Sequence, residues 1–182
     1  MPRLDVLDEI ISQQGNRFFE EASHVVLELD LNEAITKKAL ALAAQYKKPV
    51  YGIPGNLDVI RQNIEILDQM ECFICNDIEA GRLLHLDFLQ LEIEDAKREI
   101  VRYADQTGLK SMVITLGSRG SVYYDARTKA VGHQTVFPVT MVDSCGAGDA
   151  FFSGTVMGLI RRLPLAESVI YGTKVAAWTI ES

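Results

Sequence analysis

Short apolar runs alternate with longer stretches of helical periodicity along most of this chain. The run from His24 to Leu29 is typical of a strand, and Asn32 then stands where a helix N-cap is expected. The predicted strands are 24–29, 49–53, 71–75, 111–116, 121–124 and 130–137. The predicted helices are 4–19, 32–46, 57–69, 93–107, one that begins near 147 and one over 164–180. Strands and helices in this order indicate stacked β-α units.

The order of these elements predicts one doubly wound α/β domain over residues 1–182, with a mostly parallel sheet in a three-layer α/β/α arrangement. The last two strands are predicted to form an antiparallel extension of that sheet. In the helix predicted over 57–69, four apolar residues are expected to face the core: Val59, Ile60, Ile64 and Leu67. No linker, repeat or low-complexity segment interrupts the pattern.

Composition narrows the class of protein. The 182 residues are 48% hydrophobic and carry a formal net charge of −7, which describes a globular protein with an ample core. An acidic balance of this size disfavours nonspecific binding to nucleic acid or to an anionic membrane. The cysteine count is three, an odd number that argues against a disulfide framework and predicts a cytoplasmic location.

Two of the cysteines form a C-x-x-C, which occurs in zinc sites and in redox couples. Cys72 and Cys75 lie in an apolar run, however, and no second cysteine pair completes a site. We therefore expect both to be buried structural thiols. Cys145 lies in a glycine-rich loop, and we hypothesise that its oxidation or alkylation lowers activity. Persistence of alkylation sensitivity in Cys145→Ser would contradict that hypothesis.

The segment from Val142 to Gly154 is the most informative part of the chain. A flexible loop with Gly146 and Gly148 opens an apolar helix, and a helix start of this kind presents free N–H groups that suit an anion such as phosphate. Asp149 follows in the first turn, where a carboxylate can act as a general base. The same residues also suit an ordinary turn and a carboxylate that only complements the helix dipole.

Two further polar segments follow predicted strands, at the edge of a parallel sheet where ligands bind. Thr115-Leu116-Gly117-Ser118-Arg119-Gly120 fits either a nucleotide-contacting loop or an ordinary hairpin turn. Asn76-Asp77-Ile78-Glu79 has the spacing of a capping box, so a structural role competes there with ligand binding. The two roles of Asn76 and Glu79 are compatible.

Together these motifs resemble the ribokinase-like sugar and nucleoside kinases, also called the phosphofructokinase-B family. The resemblance rests on Asp143-Ser144-x-Gly146-Ala147-Gly148-Asp149-Ala150-Phe151, on the Thr-Leu-Gly-x-x-Gly segment and on the Asn-x-x-Glu. It implies that Asp149 is the catalytic base and that the amides of Gly146, Ala147 and Gly148 form an anion hole.

The same resemblance implies the remaining site residues and the cofactors. Thr115, Gly117 and Gly120 would lie against ATP, while Asn76 and Glu79 would organise Mg²⁺ through water. Asp143 would bind a monovalent cation such as K⁺; without the resemblance, its role is to fix the loop by accepting from nearby amides.

The resemblance covers nearly the whole chain but only the C-terminal portion of a full-length kinase. The N-terminal part and the lid that cover the substrate have no counterpart, so the chain resembles a fragment, a truncated form or a split gene product. We expect an ATP-dependent phosphotransferase acting on a sugar or nucleoside hydroxyl, with little activity alone. We also expect an exposed sheet edge through which a homodimer forms.

Other functions compete with this one. A non-catalytic nucleotide-binding or interaction module derived from such a kinase is the main alternative. A dinucleotide-dependent dehydrogenase is disfavoured, because the glycine-rich loop comes late and no Gly-x-Gly-x-x-Gly follows the first strand. The ending Ala176-Ala177-Trp178-Thr179-Ile180-Glu181-Ser182 and the segment 25–32 resemble the pseudouridine-kinase branch more than the ribokinase branch.

Overall fold

A computed structural model describes residues 4–30, 32–140 and 142–181. Its helices are α1 (Leu4–Glu21), α2 (Glu33–Gln45), α3 (Leu57–Gln62), α4 (Asp77–Leu84), α5 (Ile93–Thr107), α6 (Ala147–Ile160) and α7 (Leu165–Glu181). Its strands are β1 (Val25–Leu29), β2 (Val50–Pro54), β3 (Cys72–Asn76), β4 (Ser111–Thr115), β5 (Ser121–Asp125) and β6 (Ala130–Gln134). Short 3₁₀ helices lie at Ile64–Gln69 and Gly117–Arg119.

The strands form one mixed sheet in the order β1-β2-β3-β4-β5-β6. β1 to β4 pair in parallel, and β5 and β6 add the predicted antiparallel extension. Because β5 and β6 each reverse direction, β6 runs the same way as β4. The chain therefore leaves β6 at the edge of the sheet where the parallel strands have their carboxyl ends.

Alternate residues of each central strand enter two separate cores. On β3, Phe73 and Cys75 pack with α2 to α5, whereas Cys72 and Ile74 pack with α6 and α7. This period of two is what a strand covered on both faces produces. Helices thus cover both faces, and the predicted three-layer α/β/α fold is confirmed.

The helix predicted over 57–69 is wrong as a single element. It breaks at Asn63, which is buried and whose side-chain amide donates to the carbonyl oxygen of Val59 at 3.1 Å. A side chain that bonds the backbone in this way competes with the helical ladder. The break shifts the helical phase of the residues after Asn63, so Ile66 is buried in place of Ile64, which is 41% exposed. The prediction for β6 was also too long, since the strand ends at Gln134.

Helices α6 and α7 pack closely because glycines face each other across their interface. A Cβ atom on Gly154 would lie 2.9 Å from the Cα atom of Gly172, and one on Gly158 would lie 2.7 Å from the hydroxyl of Ser168. Such distances leave no room for a side chain, so these glycines are required by packing. The pair forms the layer against Cys72 and Val113 of the sheet.

The two edge strands of the sheet, β1 and β6, each pair with a single strand among the described residues. β1 pairs only with β2, and Val26 on β1 is 56% exposed. The homodimer that the sequence predicts through this edge stays a prediction. No helix within residues 4–30, 32–140 and 142–181 combines the length and apolarity needed to cross a membrane.

Candidate active site at the carboxyl edge of the sheet

Two of the predicted site segments lie at the carboxyl edge of the sheet, and the loop that leads to the third starts there. Asn76 ends β3 and is in register with Thr115, which ends β4. Thr115 pairs in turn with Ser121, and Ser121 with Gln134 at the end of β6. The loop that leads from Gln134 into α6 therefore starts at the same edge, where ligands of parallel sheets bind.

The loop before α6 is fixed by backbone contacts and by Asp143. The N–H groups of Val142 and Asp143 donate to the carbonyl of Ile180 near the end of α7, at 2.9 and 3.3 Å. The carboxylate of Asp143 accepts from the N–H of Cys145 at 2.9 Å. The loop-fixing role expected for Asp143 is therefore present, and a role in binding K⁺ stays a prediction.

The two glycines of this loop differ in what the fold demands of them. Gly146 is the N-cap of α6 and has a φ of +77°, a backbone conformation that residues other than glycine rarely adopt. Gly148 lies in the first turn of α6 without a positive φ, and a Cβ atom there would meet no described atom within 4 Å. Neither backbone geometry nor packing explains Gly148.

Asp149 is exposed in the first turn of α6. Its carboxylate makes no hydrogen bond or ion pair with any described residue, although it lies near the positive end of the helix dipole. The residue belongs to neither core and is accessible to solvent. A general base needs that accessibility.

The loop after β4 has the tight turn that its sequence predicts. The N–H of Leu116 donates to the carbonyl of Gly120 at 2.7 Å, and Gly117 and Gly120 have φ of +58° and +85°. A Cβ atom on Gly120 would collide with the carbonyl oxygen of Gln134. Gly120 is therefore required by the fold itself, whereas the space around Gly117 is open.

Asn76 and Glu79 form the capping box predicted as the structural alternative. The Asn76 side chain accepts from the N–H of Glu79, and the Glu79 carboxylate accepts from the N–H of Asn76, both at 2.8 Å. Burial raises the pKa of Glu79, and the bond from the Asn76 N–H opposes that rise. The capping bond uses one carboxylate oxygen of Glu79, and the other accepts no hydrogen bond from a described residue.

Sequence reasoning missed a cavity of about 560 Å³ beside Glu79. Besides Glu79 it is lined by residues of α3 and α4 and of the turn before α3, which bring two guanidinium groups to its walls, those of Arg61 and Arg82. The sequence signal was weak, because the two arginines are 21 positions apart and each fits an ordinary exposed helix face.

The cysteines lie where the apolar run predicts. Cys72 and Cys75 are both buried, but they point into opposite cores because they are three residues apart on one strand. They cannot share a metal or form a disulfide in this arrangement. Burial raises the pKa of both thiols, which keeps them protonated and unreactive. Cys145 is exposed.

Comparison with known proteins identifies relatives of the whole chain. The family model described as pfkB family carbohydrate kinase matches residues 7–182. Among curated proteins, a guanosine-inosine kinase of Exiguobacterium acetylicum is 33% identical over 181 residues, which cover 100% of this chain and 59% of that protein. A ribokinase of Arabidopsis thaliana is 22% identical and matches 95% of this chain and 45% of its own length. The chain thus spans about half the length of the curated relatives it matches.

Solved structures share the fold at low sequence identity. Arabidopsis thaliana ribokinase in complex with ribose and ATP superposes with a TM-score of 0.80 at 19% identity, over 93% of this chain and 53% of that one. A candidate ribokinase II from Escherichia coli in complex with ATP and Mg²⁺ has a TM-score of 0.72 at 17% identity, over 92% and 55%. These structures establish the ribokinase-like architecture of the described residues.

Proposed function

This chain belongs to the pfkB family of carbohydrate kinases, and we propose that it carries the nucleotide-binding and catalytic portion of an ATP-dependent kinase. The acceptor is a hydroxyl of a sugar or nucleoside. The chain spans 59% of the length of the guanosine-inosine kinase that it matches, so the proposal for the whole enzyme includes contacts outside these residues.

The observation that carries the proposal is the open space at Gly148 beside an exposed Asp149. Glycine in a helix interior costs roughly 0.5–1 kcal/mol relative to alanine, which is an upper limit for a first-turn position. At Gly148 no packing contact among the described residues offsets that cost. An anion that contacts the backbone at Gly148 would supply the reason, since the N–H of Gly148 has no acceptor among the described residues and the helix dipole attracts an anion. The N–H of Ala147 donates to the carbonyl oxygen of Ser144 at 3.3 Å, a long bond that an anion would replace.

The proposed reaction is an in-line transfer of the γ-phosphoryl group. Asp149 accepts the proton of the acceptor hydroxyl, whose oxygen forms a bond to the γ-phosphorus as the bond from phosphorus to the ADP oxygen breaks. The amides of Gly146, Ala147 and Gly148 stabilise the charge on the transferring group. Thr115, Gly117 and Gly120 lie against the nucleotide.

Asn76 and Glu79 fit a magnesium ion held through water. Within the described ranges, no three His, Cys, Asp or Glu side chains cluster closely enough to ligate a metal directly. Mg²⁺ keeps several waters and takes much of its coordination from phosphate oxygens, so a single half-buried carboxylate beside an amide suits it. The ion would neutralise phosphate charge, and Asp143 would hold K⁺ near the loop.

The acceptor class is proposed from the relatives. A guanosine-inosine kinase and a ribokinase take their names from a nucleoside and a sugar, and both match nearly all of this chain. The pseudouridine-kinase branch that the chain ending resembles stays a prediction.

Purified chain, Mg²⁺-ATP and a panel of sugars and nucleosides test the proposal. We expect Mg²⁺-ATP binding and slow phosphoryl transfer that Asp149→Ala abolishes, measured by ADP release and by mass spectrometry of the product. Binding without transfer, unchanged in Asp149→Ala, would favour the nucleotide-binding module. Absence of both binding and transfer would reject the kinase proposal for this chain.

A further inference from the structure

The side chain of Arg119 crosses from the loop after β4 to the segment between α4 and α5. Its Nη1 donates to the carbonyl oxygen of Leu91 at 2.7 Å, and its Nη2 donates to that of Phe88 at 2.5 Å. Hydrogen bonds from an ionised donor are roughly twice as strong as neutral ones, and a guanidinium does not lose its proton in proteins. The two bonds therefore tie the segments together at every accessible pH.

A second contact holds the backbone of the same residue. The Nε2 of His133 on β6 lies 2.7 Å from the carbonyl oxygen of Arg119. Because a carbonyl only accepts, this ring nitrogen carries a hydrogen and donates it. The loop is thus fixed on one side to β6 and on the other to the α4–α5 segment.

The loop that receives this support is itself exposed. Gly117 and Ser118 face solvent, and no described atom lies within 4 Å of the Cβ position of Gly117. At the far end of the tie, by contrast, Phe88 is only 1% exposed and belongs to the core. Arg119 therefore connects a solvent-facing glycine turn to a segment that Phe88 fixes in the core.

The segment at the far end of the tie also leads to the second part of the site. The segment that contains Phe88 follows α4 directly, and α4 carries Glu79 in its first turn. We propose that Arg119 is a positioning residue that holds the Gly117–Gly120 turn in register with α4, so that both contact one Mg²⁺-ATP. This inference rests on the proposed function. Lysine cannot replace Arg119 fully, because one ammonium lacks the planar fork that reaches two carbonyls.

Mg²⁺-ATP binding to the whole chain, measured by calorimetry, tests this role in Arg119→Met and Arg119→Lys. Arg127→Met is the matched control, since Arg127 pairs with Glu71 at 2.6 Å and lies at the opposite edge of the sheet. We expect Arg119→Met to weaken binding on the order of tenfold, equivalent to one charge-assisted hydrogen bond, with Arg119→Lys in between. Arg127→Met should bind within about twofold of the wild type even if it unfolds more readily.

Hydrogen exchange provides a readout that does not depend on the nucleotide. The amides of 117–120 should exchange faster in Arg119→Met and remain unchanged in Arg127→Met. Wild-type binding by Arg119→Met, or an equal loss in Arg127→Met, would overturn the role of Arg119 alone. If Arg119→Met does not fold, wild-type binding by Arg119→Lys would overturn it. A wild-type chain that binds no Mg²⁺-ATP would instead reject the proposed function, and the nucleotide role of Arg119 with it.

Discussion

The first turn of α6 and the body of the same helix use glycine in opposite ways. In the body, Gly154 and Gly158 face α7 so closely that a Cβ atom would lie under 3 Å from its atoms. In the first turn, a Cβ atom on Gly148 would meet no described atom within 4 Å. The body therefore gains packing from the absence of a side chain, whereas the first turn gains nothing within the described structure.

This difference separates stability from function along one helix. Residues of the body should affect unfolding, and residues of the first turn should affect ligand binding and transfer. The prediction is sharp because the two sets lie within fourteen residues of one element. A body substitution that changes only ligand binding, or a first-turn substitution that changes only unfolding, would contradict this separation.

The largest effect is expected for Asp149→Asn. Loss of a general base lowers kcat roughly 10²- to 10⁴-fold, while loss of one first-turn charge changes the free energy of unfolding by less than about 1 kcal/mol. Steady-state kinetics with the acceptor found in the panel and urea unfolding measure the two quantities. Asp95→Asn, in the first turn of α5, is the control and should leave kcat unchanged. Equal kcat in wild type and Asp149→Asn would contradict the assignment of the base.

Gly154→Ala should lower the free energy of unfolding and leave ligand binding at the first turn of α6 unchanged. Its methyl group would lie 2.9 Å from the Cα atom of Gly172 and from a methyl of Val175, so α6 and α7 must separate. Overpacking of this kind costs about 1–3 kcal/mol. Urea unfolding should show the loss, while Mg²⁺-ATP affinity below the transition stays close to that of the wild type. An unchanged unfolding midpoint would show that α6 and α7 can move apart to accommodate the methyl group at little cost in free energy.

Gly148→Ala should have the opposite signature. Alanine is the better helix former, so the free energy of unfolding should rise, by at most roughly 1 kcal/mol at this first-turn position. Mg²⁺-ATP binding should nevertheless weaken, because a methyl group occupies the space that the phosphate needs. Ser153→Ala, on the exposed face of α6, is the control that changes helix propensity without touching the first turn. Normal binding by Gly148→Ala would remove the main support for the anion site.

The smallest effect on stability is expected for Glu79→Gln, a substitution in the first turn of α4. Glutamine preserves the capping box, and it removes a carboxylate whose pKa burial raises. Because the folded state holds this proton more tightly than the unfolded state, wild-type stability gains as pH falls through the raised pKa. The variant should thus be more stable at pH 7 by less than about 1 kcal/mol, and its advantage should shrink toward pH 4.

Urea unfolding at several pH values measures this difference, and the Mg²⁺ dependence of ATP binding measures the functional one. We expect Glu79→Gln to need more Mg²⁺ for half-maximal binding. A variant that is less stable than the wild type at pH 7, with the same Mg²⁺ dependence, would assign Glu79 to capping alone.

Much of this architecture could be predicted because strands and helices have different periods. The apolar run Cys72 to Cys75 predicted a strand with both thiols buried, and the structure confirms both. The break at Asn63 could not be predicted, since the apolar spacing on both sides of it fits one helix. A bond from the Asn63 side chain to a carbonyl one turn earlier decides the break.

Part of the candidate site could be predicted from the sequence, and part could not. Its capping box follows from local spacing, and Asn76 and Glu79 form it. The tie made by Arg119 was not predictable, because its acceptors are backbone carbonyls 28 and 31 positions away that any sequence would present. The cavity beside Glu79 was missed for the same reason, as it forms only where α3 meets α4.

The amino-acid sequence by itself determined the family, the alternation of strands and helices, and the polar segments at the strand ends, because these depend on local spacing. Only the tertiary structure decided which glycines are packed and which are open. Glycine carries no side chain that could indicate its surroundings, so its role depends on which atoms the fold brings next to it.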